Sequence, residues 1–142
     1  MTGIEYLASI ERMEKTIKRR QEELKRFKSL AVSSGVDMGE GVHASGSPDR
    51  MGEMVAKYVD MEKEIQEQVM ILTNRRKHAI DLINSMDDDE SSELLYKRYI
   101  ENKKPGQISG EMGYCRRWFY DAFETAKKEI NNIFEKQKNK KS

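Results

Sequence analysis

Cysteine, histidine and proline are scarce in this chain, with one Cys, two His and two Pro in 142 residues. Cys115 has no partner for an internal disulfide. His43 and His78 lie too far apart in sequence to form a ligand set at metal-site spacing, so no redox or zinc chemistry, cofactor or metal is expected. No apolar run approaches the roughly 20 residues of a membrane-spanning helix, which sets membrane readings aside and predicts a soluble protein. Met1–Ile10 shows neither a basic leader nor a small-residue cleavage site, so a cytoplasmic chain is expected. Also missing are a Ser-His-Asp arrangement with usable partners, a Gly-rich phosphate loop and a C-x-x-C pair; no catalytic residue is assigned and an enzyme is not expected. His78, beside Arg75, Arg76 and Lys77, reads as a solvated side chain.

What is present is charge: 36% of residues are charged against 37% hydrophobic, and nine are Met. That balance suits long solvated helices that each bury one narrow stripe. The net charge of +1 hides an uneven distribution: residues 1–86 carry 14 Lys/Arg and 14 Asp/Glu, whereas residues 97–142 carry 12 and 6. The basic excess therefore sits in the last third, where it can face phosphates.

From Tyr6, apolar residues recur at Ile10, Met13, Ile17, Leu24, Phe27 and Ala31, in steps of three and four interrupted only by Arg20, which is a heptad seam. A second seam runs through Met51, Tyr58, Ile65, Leu72, Ala79 and Met86 at one position and Met54, Met61, Gln68, Arg75 and Leu82 at the other. These patterns predict helices near 4–31 and 48–86, folded back as an antiparallel hairpin. Ser33–Ser47, with Gly35, Gly39, Gly41 and Gly46, reads as a flexible connector, and Ser47-Pro48 as an N-cap followed by Pro at the first helical position. A hairpin with so narrow a stripe is expected to form homo-oligomers, and Arg20, Gln68 and Arg75 suggest a solvent-reached stripe or a polar register device.

Asp87–Glu90 reads as a capping box at the start of a third helix through Leu94, Leu95, Tyr99 and Ile100, stopping near Asn102. Pro105 opens a short helix with Ile108 and Met112 that ends at Gly113. Cys115-Arg116-Arg117 opens a long last helix, with Phe119, Phe123, Ala126, Ile130 and Ile133 on one face and Arg116, Arg117, Tyr120, Asp121, Lys127 and Lys128 on the other. A short helix, a turn with Gly and a longer helix with basic residues at its start is the layout of a DNA-binding helix-turn-helix. The reading is thus an all-α chain: residues 1–86 a long antiparallel hairpin with the 33–47 connector, and residues 87–142 a helix-turn-helix with a basic tail.

The runs Leu94-Leu95-Tyr96-Lys97-Arg98-Tyr99-Ile100 and Ile108-Ser109-Gly110-Glu111-Met112-Gly113-Tyr114-Cys115-Arg116-Arg117 resemble the region-four helix-turn-helix of sigma-70-type factors. More closely, nearly the whole chain resembles small proteins of Gram-positive phages and prophages related to ArpU-like and RinA-like late transcription regulators. It departs from the sigma-like pattern at Pro105-Gly106, at Ser109, at Cys115 in place of a Ser cap, and at Trp118 and Asp121. The resemblance implies a DNA-binding transcription regulator in the cytoplasm of a bacterial host, with RNA polymerase as a further partner. Its expected DNA-contacting residues are Arg116, Arg117, Trp118, Tyr120, Lys127, Lys128, Lys103 and Lys104. Two alternatives stand beside it: a small-terminase-like DNA-packaging protein, and a protein-binding adaptor with little DNA contact.

Overall fold

The computed structural model describes residues 1–41 and 48–141, with 33–41, 48–51 and 141 in backbone only. The described residues are all-α and contain no strand: α1 (Gly3–Gly41), α2 (Pro48–Asn84), α3 (Asp89–Leu95) continuing into a π-helical turn at Tyr96–Ile100, α4 (Pro105–Glu111) and α5 (Arg116–Lys141). None of these helices is long and apolar enough to cross a membrane.

Two expectations about the long helices need correction. The connector expected from Ser33 does not begin there, because α1 continues to Gly41. Each helical Gly costs only about 1 kcal/mol relative to Ala, and a helix already nucleated over thirty residues adds further residues without a new nucleus. The remainder of that segment, with the Ser47 cap, lies outside the described residues. At its other end α2 stops at Asn84, short of Met86, whose side chain is nonetheless buried.

The chain forms two compact units, and the division falls inside both long helices rather than at residue 86. One unit is Glu14–Ile71. Within it Lys28 of α1 binds Glu62 of α2 (Nζ to Oε1, 3.0 Å) and sits 5.6 Å over the Tyr58 ring, while the earlier Arg20 and Glu23 share a cleft with Met61, Glu64 and Ile65. The helices of this unit therefore run in opposite directions. Among the described residues Ile17 and Ile65 are its buried apolar side chains, and the other described apolar residues of the seam are half-buried. Arg20 points to solvent. Gln68 stays on the seam with its Oε1 buried and unpaired. An unpaired buried acceptor costs about 1–3 kcal/mol.

The other unit joins Met1–Met13 to Leu72–Ser142. Its core packs Leu7 and Ile10 from α1 and Leu82 and Ile83 from α2 with Leu94, Leu95, Ile108 and Ile130, all at most 1% exposed. Leu7 and Ile83 lie one residue off the heptad positions, because here each helix has several neighbours rather than one. The start of α1 is fixed to α5 by Ile4 N–H donating to Asn131 Oδ1 (2.8 Å) and by Gly3 passing close to the Ile130 carbonyl. Arg98 secures the same segment through Glu11 (2.8 Å).

His78 is not a solvated side chain. It is half-buried, with Nδ1 3.0 Å from the Tyr6 hydroxyl and Nε2 3.3 Å from Gln137 Oε1, and its ring meets Tyr6 edge-on at 5.4 Å. Both nitrogens are satisfied if Nε2 carries the proton. The cap of α3 is Asp88 rather than Asp87: its carboxylate accepts from Ser91 N–H (3.2 Å) and Ser91 Oγ–H (2.6 Å). Asp87 N–H instead donates to Glu129 of α5 at 2.6 Å.

Candidate nucleic-acid interface

The turn between α4 and α5 is shaped by Gly113, whose φ of 81° lies in the left-handed region open to glycine. Tyr114 N–H reaches back to the Ser109 carbonyl (2.8 Å) and Gly113 N–H to that of Gly110 (3.3 Å), closing α4. Pro105 occupies its first turn, and Ile108 is fully buried. The α4 helix is thus fixed against α5 by its apolar side and by its C-terminal turn.

Residues of α5 divide by helical phase. At 100° per residue, Phe119, Phe123, Ala126 and Ile130 fall together, and Phe119, Ala126 and Ile130 are buried. Arg117, Tyr120, Asp121, Glu124 and Lys128 fall in the outward sector, with Arg116 and Lys127 at its edge on the side of Phe123. Arg116, Arg117 and Lys128 are exposed, Tyr120 is 53% exposed, and Lys127 is half-buried along its stem. Among the described residues none of these four cations has a side-chain ion pair or hydrogen bond. The sector and its edge bear four positive and two negative charges. Lys127 and Lys128 lie three turns along the axis from Arg116, about 17 Å at 1.5 Å per residue.

Trp118 stacks on Tyr114 with centroids 4.2 Å apart and planes at 16°. Tyr114 donates its hydroxyl to Glu90 Oε2 at 3.0 Å, tying the turn to α3. That hydrogen bond, with the nearby Glu90 charge, raises the Tyr114 pKa above its ordinary value. The i, i+4 spacing of the two rings is legible in the sequence; the Glu90 tether, across 24 residues, is not.

The two lysines before α4 do not share one role. Lys103 Nζ is held by Glu111 (2.7 Å) and Glu101 (3.1 Å), and Lys97 joins the same Glu111 oxygen at 3.0 Å. The Glu111 and Glu101 hydrogen bonds raise the Lys103 pKa, and those of Lys103 and Lys97 lower that of Glu111. Lys103's charge is already matched within the chain. Lys104 is the exposed N-cap residue of α4, in extended conformation and with no side-chain partner among the described residues. Of the eight residues expected at the interface, Arg117, Tyr120 and Lys128 share the outward sector of α5, Arg116 and Lys127 lie at its edge, and Trp118 sits on the other flank. Cys115 is exposed and unpaired.

A family model described as a protein of unknown function, DUF1492, matches residues 28–131, well over half of the chain, which therefore belongs to that family. No curated protein and no solved structure matches the chain significantly.

Proposed function

With that family membership as premise, we propose that this chain is a non-enzymatic DNA-binding transcription regulator of the phage and prophage type, acting in the cytoplasm of a bacterial host. The observation that carries this reading is the outward sector of α5: cations without internal partners, opening just after a glycine turn, on a helix whose opposite side is anchored in the core. Arg116 and Arg117, in the first turn, take the place from which a recognition helix addresses base edges in the major groove; Lys127 and Lys128 serve the phosphates. Binding without catalysis is the role asked of such a surface.

The adaptor reading is favoured by a specific feature, the two carboxylates of Asp121 and Glu124 at one and four residues from the exposed ring of Tyr120 on α5. Selection of bound duplexes from a random pool by the full chain separates the two. On the enriched site Arg117→Ala loses about 1–3 kcal/mol and far less on random DNA, while replacing Lys127 and Lys128 together weakens all sequences alike. If no motif is enriched and binding survives removal of Arg116 and Arg117 together, the DNA reading fails and docking to RNA polymerase or another protein replaces it. A ring-shaped assembly points instead to a small-terminase-like packaging role.

A further inference from the structure

Within the Glu14–Ile71 unit, each helix carries a second heptad row beside the one it buries. On α2 this row is Val55, Val59, Glu62, Gln66 and Val69, spaced four and three; on α1 it is Lys18, Gln21, Lys25, Lys28 and Val32, spaced three and four. Each outer row follows its inner row by one residue: Val55, Glu62 and Val69 follow Met54, Met61 and Gln68, and Lys18, Lys25 and Val32 follow Ile17, Leu24 and Ala31. One residue is about 100° of rotation, in the same sense on both helices. In an antiparallel pair, equal rotation in the same sense brings both rows to one face. That face is open, with Val55 41%, Val59 36% and Val32 66% exposed.

The exposed Val55 and Val59, with Val69 at the same heptad spacing on the α2 row, suit another helix as their cover. Charge specifies which one. Residues 14–32 carry seven Lys/Arg and three Asp/Glu, whereas residues 52–71 carry two and five. Laying α1 on a second α1 opposes like charges, and so does α2 on α2; only α1 on α2 is complementary. A second copy supplies both pairings at once across a two-fold axis parallel to the helices.

That axis preserves height along the bundle, so the register can be read from the hairpin itself. Lys28 meets both Tyr58 and Glu62, which places residue 28 level with residue 60. On that register Val32 comes nearest Val55 of the second copy, Lys25 nearest Glu62 and Gln21 nearest Gln66, while Lys28 and Lys18 lay their methylenes on Val59 and Val69. One apolar pair, one amide pair and one pair of opposite charge result, and the other two Val are covered by lysine stems. We infer that this face binds a second copy of the chain, forming an antiparallel four-helix bundle in which α1 of each copy covers the outer row of α2 of the other.

This inference is independent of DNA binding. The full chain is measured by sedimentation equilibrium, with helix content by circular dichroism as the check on folding. Val55→Asp with Val59→Asp alters exposed positions, so helix content holds while the dimer gives way to monomer. Lys25→Glu and Glu62→Lys each create two like-charged contacts and weaken the dimer by on the order of tenfold. Mixed in equal amounts, those two variants pair with each other at close to wild-type affinity, because the mixed dimer restores opposite signs at both contacts. A repair confined to one chain cannot produce that recovery. A monomeric wild type, a dimer indifferent to the Val substitutions, or no recovery on mixing overturns the inference.

Discussion

Gly3→Ala sets two physical effects against each other, and the structure decides which wins. By helix propensity, Ala for Gly is worth up to about 1 kcal/mol in a helix interior, and less in the first turn where Gly3 stands. Against this, a Cβ at Gly3 falls 2.6 Å from the Ile130 carbonyl oxygen, 3.0 Å from its carbon and 3.0 Å from Phe134 Cβ. Two of those three atoms are backbone of α5, whose neighbour Asn131 is itself bonded to Ile4, so neither helix yields without loosening the contact. Overpacking of this kind costs about 1–3 kcal/mol. The expected net effect is a loss of about 1–2 kcal/mol, or some 2–4 °C in Tm for each kcal/mol, measured by urea and thermal denaturation. Gly110→Ala is the control, since a Cβ there meets nothing within 4 Å, and it is expected to leave stability unchanged or raise it. If Gly3→Ala equals or exceeds wild-type stability, the close approach of α1 to α5 is wrong.

Phe119 is 4% exposed and stacks on Phe123 at 5.6 Å, so Phe119→Ala is expected to cost about 3–5 kcal/mol in chemical denaturation; a change under about 1 kcal/mol means the inward face of α5 is misassigned. Burial raises the pKa of Tyr99, partly offset by Arg98 and reinforced by Glu11. The unfolded phenol ionises near pH ~10 while the folded one stays neutral, so this contribution is complete below about pH 10 and is lost as pH rises through the folded pKa. Unfolding free energy measured against pH should bend downward on the alkaline side, and Tyr99→Phe should make that limb shallower; an identical limb in the variant removes Tyr99 as its source.

Helix periodicity was enough to place α2, α4 and α5 within a residue or two, because each start or stop has a local cause: Pro48, Pro105, Gly113, or the phase of Phe119 and Ile130. What escaped depends on contacts far apart in sequence. The π-helical turn at Tyr96–Ile100, closed by Glu101 N–H on the Tyr96 carbonyl (3.1 Å), has no composition that announces it. Its result is that Tyr99 and Ile100 are both buried while Lys97 and Arg98 reach Glu111 and Glu11. Lys103 and Lys104 look alike in sequence, and only the placement of Glu111 beside one of them tells them apart. The Leu7 and Ile83 contributions were hidden for a related reason, since a single-partner seam predicts one stripe whereas the end of each long helix here packs on several neighbours.

The charge on α5 sets the scale of DNA binding on the proposed reading. With Lys127 and Lys128 on two phosphates and Arg116 and Arg117 on bases, the slope of log affinity against log salt is about −2, modest for a sequence-specific protein, and Asp121 and Glu124 oppose even that. One copy is therefore a weak binder at physiological salt. Two copies held through α1 and α2 carry two such sectors, and a second contact made within a bound complex gains from effective concentration without any new residue. The salt slope measured on the enriched duplex should then approach twice the single-copy value in the wild type. It should fall to about −2 in the Val55→Asp, Val59→Asp double variant, whose α5 is untouched. Equal slopes in the two proteins mean that dimerisation and DNA contact are separate properties of the chain, and that the affinity has to come from Arg116 and Arg117 reading bases within one copy.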